Sequence, residues 1–348
     1  MNSFNTKLAA IALLFCLILS LSAFAEASSK KYYKNKPKPK PGKSTFGVGF
    51  YSRSCPPAEG IIKKAVFKAV LMNPGIAAGI IRMHFHDCFI RGCDGSVLLD
   101  SVNGKETAEK DSPINNSLRG FEVIDEAKVL LEILCPRTVS CADILAYAAR
   151  DSALFVGGIN YALPGGRRDG LVSLSSEVIQ NLPPPFFNAQ QLQDNFKRKG
   201  LSLDEMVTLS GAHSIGRTHC SSFSNRLYGF NATHPQDPSI DPRYASFLKS
   251  KCPRPISDTQ VDPMVNLDVS SPNHLDNKYY LNLRNRRGLL TSDQTLFESA
   301  LTSKLVMNNV KYASTWKRKF AAAMVHMGSI EILTGNMGDI RKNCHFVN

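Results

Sequence analysis

Alternating apolar and polar residues, the mark of a half-buried strand, are scarce in this chain of 348 residues, which excludes a sheet as its main framework. No internal repeat is visible, so solenoids and propellers are excluded as well. No two cysteines show the C-x-x-C spacing usual in structural zinc sites. The acid-rich stretch near residue 90 lacks the twelve-residue arrangement of an EF-hand. The net charge is +13, yet no nucleic-acid-binding fold is recognisable, and nucleic acid is not expected as a partner. Much of that charge is local: residues 28–43, "SSKKYYKNKPKPKPGK", hold seven lysines and no acid.

What is present begins with a leader. Lys7 precedes the apolar run "LAAIALLFCLILSLSAFA", which closes on Ala23-Phe24-Ala25, the layout of a secretory signal peptide over residues 1–25. An uncleaved anchor is the alternative, since the run approaches membrane length. Residues 26–45 read as a disordered basic arm, because alternating Lys-Pro favours extended chain with nothing to bury. The arm suits a polyanion such as an acidic polysaccharide, or serves as a solvated spacer. Without the leader and arm, the net charge falls to +6, from 34 basic and 28 acidic residues. Cys16 would leave with the leader. Eight cysteines remain, an even number spread along an exported chain, and they read as four disulfides. Eight cysteines allow ~105 pairings, so counting alone does not choose among them.

The domain therefore spans residues 46–348, and its pattern is all-α with minor β between 230 and 275. "PPAEGIIKKAVFKAVLMNP" places Ile61, Ile62, Val66, Phe67, Val70 and Leu71 on one helical stripe. "GIAAGIIRMHFHDCF" continues as a helix buried on most sides. Further helices are expected in "FEVIDEAKVLLEIL", "CADILAYAARDSALFV", "NAQQLQDNFKRKG", "YASFLKS" and "WKRKFAAAMVHMGSIEIL". A capping box, Ser202 with Glu205, opens "LDEMVTLSGAHSIG".

On the second helix Arg82 and His86 lie one turn apart on one face, while His84 points elsewhere. A permanent cation beside a base of near-neutral pKa suits proton shuttling on a small substrate. Its apolar flanks make an idle buried arginine there expensive. Directly after, Asp87, Asp94 and Ser96 supply side-chain oxygens, and glycines at 92 and 95 let the backbone fold back. Hard oxygen ligands in a tight loop suit calcium, with a capped acidic turn as the bland alternative. A second centre is His213 in "LSGAHSIGRTHC", and Asp293 in "GLLTSDQTLF" is a candidate acceptor for its other ring nitrogen.

Taken together and in order, "RMHFHDCF", "GCDGSVLLD", "CPRTVSCADIL", "GRRD", "LSGAHSIGRTHC", "DNKYY" and "GLLTSDQ" resemble the secretory plant haem peroxidases, class III, over residues 46–347. The resemblance implies a two-lobed all-α fold with one haem b between distal and proximal lobes. It makes His213 the axial iron ligand with Asp293 behind it, and His86 and Arg82 the base and charge stabiliser facing hydrogen peroxide. Asn115, with Asn116 as the alternative, would orient His86. Phe85 would pack over the haem, and the carbonyl of Pro183 would orient a phenol. Two calcium ions follow: a distal one on Asp87, Asp94, Ser96 and the carbonyls of Ile90 and Gly92, and a proximal one on Ser214, Asp268, Ser271, Asp276 and the carbonyl of His274. The implied disulfides are Cys55–Cys135, Cys88–Cys93, Cys141–Cys344 and Cys220–Cys252.

The resemblance implies a phenolic donor:hydrogen-peroxide oxidoreductase: a secreted, N-glycosylated monomer of the cell wall or apoplast, with the vacuole as an alternative, and without stable membrane association. A catalytically silent wall-binding protein of the same fold is the second reading. The chain departs from the family's pattern in "EKDSPINNSLRG", one residue short before Asn115, and in carrying Tyr161 and Gly165 where tryptophan and leucine are common. Asn115-Asn116-Ser117 and Asn231-Ala232-Thr233 are both formal glycan acceptors.

Overall fold

A proline or glycine punctuates many of the helix ends, and the chain turns where they fall. The computed structural model describes residues 45–104, 106–254 and 262–348; the expected leader and residues 26–44 of the arm lie outside the described residues. The unit described runs from Thr45 to Asn348. Helix α1 (Ala58–Met72) stops at Asn73, extended because Pro74 follows. Helix α2 (Ile76–Ile90) comes next and is buried on nearly every side. Helix α3 (Phe121–Leu134) and helix α4 (Cys141–Gly157) complete the first group. Ser140 Oγ accepts from Asp143 N at 3.1 Å to start α4, and Gly158, at φ 64°, ends it. Helices α1, α2 and α3 all pack on α4.

The second group holds α5 (Ser175–Asn181), α6 (Ala189–Arg198) and α7 (Leu203–Ser210). The capping box of Ser202 and Glu205 is formed at the start of α7. Strand β1 (Arg217–His219) pairs antiparallel with β2 (Met264–Asn266), Arg217 opposite Asn266. Between the strands lie α8 (Ser224–Leu227) and α9 (Pro242–Lys251), and α10 (Lys278–Arg284), α11 (Thr291–Glu298), α12 (Ser303–Lys311) and α13 (Ala313–Met327) follow. The fold is mostly helical, as the sequence pattern implies. One large apolar cluster runs through both groups, and a smaller one, including Phe223, Leu227, Tyr244 and Leu248, lies beside the strands.

Four disulfides join Cys55 to Cys135, Cys88 to Cys93, Cys141 to Cys344 and Cys220 to Cys252. The bridge across 203 residues removes the most freedom from the unfolded chain. Gly165 has a local reason to be glycine: a Cβ there would sit 2.3 Å from the Tyr147 hydroxyl.

Two expectations need correcting. Phe67 and Leu71 are 46% and 68% exposed, so the buried face of α1 is narrower than the apolar stripe. Phe67 only leans on Phe155 of α4, at 5.2 Å between ring centres. The last helix ends at Met327 rather than continuing through "GSIEIL", because Gly328 turns away and its carbonyl accepts from Arg167 Nε at 2.8 Å.

Candidate active site

Three residues one turn apart on α2, Ala78, Arg82 and His86, share one face, since side chains four positions apart stack along a helix. Across from that face runs the segment that follows α7. Gly216, at φ +95°, comes so close that a Cβ on it would sit 3.2 Å from the Ala78 Cβ. Gly216 is three residues past His213, which lies in the 3-10 turn Gly211–Ser214 rather than in α7 itself. Arg82 is near enough to His213 to oppose its protonation electrostatically. The segment carrying His213 therefore lies against the α2 face that carries Arg82 and His86.

On the α2 side, His86 Nδ1 lies 2.7 Å from Asn115 Oδ1. The orientation of that amide is fixed, because Asn115 Nδ2 donates to the Glu109 carbonyl at 2.8 Å. Oδ1 is thus the acceptor, Nδ1 carries the hydrogen, and His86 Nε2 keeps a free lone pair. Burial, and then the Arg82 guanidinium, push the His86 pKa well below its ordinary value, and the Asn115 contact only partly opposes this. His86 is a neutral base. Arg82 is held by Ser117 Oγ at 2.9 Å and the Ile114 carbonyl at 3.2 Å, and burial lowers its pKa to about 10, still leaving it cationic at neutral pH. Asn116 is exposed and does not reach His86. The buried Asn115 amide, with both groups occupied, has no room for a glycan, whereas Asn231 is exposed.

On the other side, His213 Nδ1 lies 2.7 Å from Asp293 Oδ1. Here burial lowers the imidazole pKa, but the Asp293 carboxylate outweighs it and the net shift is upward. Burial raises Asp293, and His213 outweighs that too, leaving it below its usual range. The His213 side chain is 39% exposed and Asp293 only 2%, so an accessible ring rests on a sealed backing. Its Nε2 makes no hydrogen bond among the described residues. An imidazole with Nδ1–H fixed on a carboxylate and Nε2 free is the donor arrangement of a metal-ligating histidine. It fits an axial haem ligand.

Around this pair, Phe85 is half-buried against Phe89 and Phe196, with ring centres 4.3 and 6.3 Å away. Pro183 starts the turn leaving α5, and two residues on the Pro185 carbonyl accepts from Ser292 N at 2.9 Å, which ties this turn to the helix carrying Asp293.

The residues expected to hold the distal ion share one tight loop. Asp87 accepts from Gly95 N and Val97 N, and Asp94 from Ser96 N. Gly92 and Gly95 take the positive φ that closes it. Ser96 Oγ is buried without a partner. Burial drives Asp87 and Asp94 upward, Asp94 to about 6. The Ile90 carbonyl accepts from Lys199 Nζ at 3.3 Å. Glu109 was not foreseen. It is fully buried, both carboxylate oxygens lack partners, and burial followed by Asp87 raises its pKa. On the other side, Ser214 Oγ accepts from Asp276 N at 3.1 Å, Ser271 Oγ lies 3.1 Å from Asp276 Oδ2, and Asp268 Oδ2 is buried and unpartnered. The side chain of His274 is exposed, leaving only its carbonyl for that set. Both oxygen sets suit a hard divalent cation. His84, Cys88 and Cys93 also gather closely enough to suggest a metal, but both sulfurs are spent in a disulfide, so this cluster is packing.

Sequence reading also missed Ser117 and Tyr279. Tyr279 Oη donates to Asp293 Oδ1 at 2.9 Å, and nothing in "DNKYY" reveals which tyrosine reaches Asp293.

A helical fold with a neutral base and a cation facing a carboxylate-backed histidine defines a haem-peroxidase type of enzyme. Comparison with known proteins narrows this. The peroxidase family model matches residues 62–312. The chain is 56% identical over 302 residues to "Peroxidase 5" of Vitis vinifera, covering 86% of this chain and 91% of that protein. It is 49% identical to "Peroxidase 1" of Zea mays over 86% of this chain and 83% of that protein, and 45% identical to "Peroxidase 2" of Zea mays over 96% and 95%. The chain belongs to the peroxidase family, as a plant class III member, and is a haem enzyme acting on hydrogen peroxide.

Proposed function

We propose that this peroxidase oxidises small phenolic donors by one-electron steps outside the cell, in the wall or apoplast. The observation that carries the reading is the opposite polarisation of two imidazoles, one fixed by an amide and held neutral by burial and a cation, the other made basic by a carboxylate. A haem, of b type, would supply the redox-active iron through which peroxide and donors exchange electrons.

The residues of this chain do the rest. His213 Nε2 would hold the iron, with Asp293 fixing its tautomer and raising its basicity. His86 Nε2 takes the proton from one peroxide oxygen and returns it to the other, which leaves as water. Arg82 stabilises the negative charge that grows on the departing oxygen. Asn115 keeps the lone pair of His86 free. Phe85 would pack against a bound haem, and the Pro183 carbonyl would accept from the phenol hydroxyl. One calcium ion is assigned to Asp87, Asp94, Ser96 and the carbonyls of Ile90 and Gly92. A second is assigned to Ser214, Asp268, Ser271, Asp276 and the His274 carbonyl. Exposed Asn231 suits a glycan, and the basic arm suits acidic polysaccharide. No helix among the described residues is long and apolar enough to cross a membrane. The unit is proposed to act as a monomer.

Haemin titration into oxidised, calcium-replete protein tests the central assignment. We expect a one-to-one Soret band and turnover of a phenolic dye, with His213→Ala losing both. A protein that takes haemin equally well without His213 would overturn it.

A further inference from the structure

We propose that Tyr279 is a positioning residue that tunes the iron ligand by sharing the carboxylate oxygen on which His213 depends. This rests on the assignment of His213 and Asp293 to the haem's proximal side.

Asp293 Oδ1 receives two donors, His213 Nδ1 at 2.7 Å and Tyr279 Oη at 2.9 Å. Its other oxygen accepts from Leu290 N at 3.0 Å. All of this lies in a sealed pocket, with Tyr279 and Asp293 both buried. The Tyr279 ring also stands edge-on to the His213 ring, 6.2 Å between centres and 85° between planes, so its place is fixed by packing as well as by the hydroxyl. In such surroundings each donor on a carboxylate withdraws part of the charge available to the next. A tyrosine hydroxyl on Oδ1 therefore weakens the pull of Asp293 on the Nδ1–H of His213. The imidazole becomes less anionic, and a less anionic ligand favours ferric iron over ferrous less strongly. The neighbouring Tyr280 is a built-in control: its hydroxyl is equally buried but donates to the carbonyls of Val207 and Thr208, away from Asp293.

Tyr279→Phe removes one oxygen and keeps the ring. In the haem-loaded protein we expect the ferric/ferrous midpoint potential to fall, so that at a fixed applied potential the ferrous-to-ferric ratio drops roughly three- to tenfold, the worth of one hydrogen bond. The iron–imidazole stretching band of the ferrous protein should rise. Tyr280→Phe should move neither, even if it lowers the melting temperature. Asp293→Asn should move both in the opposite sense, and adding Tyr279→Phe to it should change little more. A shifted Asp293→Asn with an unshifted Tyr279→Phe would overturn the proposal and spare the proximal assignment. If neither variant moves the band, the proximal assignment fails and the proposal falls with it.

Discussion

His86 and His213 are the same side chain, polarised in opposite directions by their surroundings. An amide oxygen holds the Nδ1–H of His86, adds no charge, and leaves burial and Arg82 free to keep the ring neutral. A carboxylate oxygen holds the Nδ1–H of His213 at the same 2.7 Å and outweighs burial. Hydrogen-bond length is therefore not what separates them. The formal charge on the acceptor separates a ring that burial and Arg82 keep neutral from one whose pKa is raised, which suits them to the different roles proposed.

The largest effect should come from erasing one side of the contrast. His86→Ala is expected to slow peroxide cleavage by roughly three to four powers of ten, read as the second-order rate in stopped flow. A rate within tenfold of the parent would remove His86 from the chemistry. Next is making the two sides alike. Asn115→Asp gives His86 the kind of partner His213 has, raising its pKa by about 1 to 3 units. In the proposed mechanism His86 takes its proton as the neutral ring, so a raised pKa is expected to cost activity on the acid side. The acid limb of the rate profile should move upward, with the loss greatest at acid pH and shrinking toward pH 8. An unmoved limb would mean that the amide does not set the protonation of His86.

Much of this contrast was legible in the residue order, and what was not has a physical cause. Helix starts at Ser140 and Ser202 and stops at Asn73 and Gly158 follow from local capping and backbone rules, so they could be read in place. Arg82 and His86 share a helix face, and their pairing needs nothing beyond the helical period. Asn115 could not be separated from Asn116 on sequence, because the choice depends on how the turn from Ser112 to Leu118 closes. Glu109, Ser117 and Tyr279 reach the site only through tertiary folding, and no spacing rule marks them. The exposed Phe67 and Leu71 show the converse, where an apolar stripe ran wider than the neighbour that covers it.

Removing calcium should have a smaller effect, since both proposed ion sites support the histidines from behind. Asp87 follows His86 directly, and Ser214 follows His213. Chelation should lower turnover roughly tenfold while the haem stays bound, in line with the loss of an outer-shell support. Rates unchanged after verified calcium loss would break the two-ion assignment. The distal site should suffer more, because three buried carboxylates, Asp87, Asp94 and Glu109, would be left facing one another.

The smallest effect concerns His84, a third histidine that sharpens the comparison by having neither kind of partner. It packs on the Cys88–Cys93 disulfide, 3.6 Å from Cys88 Sγ, with Arg167 nearby. Burial first, and Arg167 second, push its pKa down to about 3. Below about pH 6.5 the unfolded chain takes up a proton at this position that the native state refuses until about pH 3, so native stability drains away as the pH falls through that window. One such group contributes a slope of at most about 1.4 kcal/mol per pH unit. With all four disulfides intact, urea unfolding of His84→Gln should show a shallower loss between pH 6 and pH 4 than the parent, whatever its stability at pH 7. In haem-free protein His213→Gln should act in the opposite direction, because the raised pKa of His213 contributes stability that is full below the unfolded value and disappears as pH rises through the folded one. Equal slopes for the two variants would mean that burial, and not the partner, governs both rings.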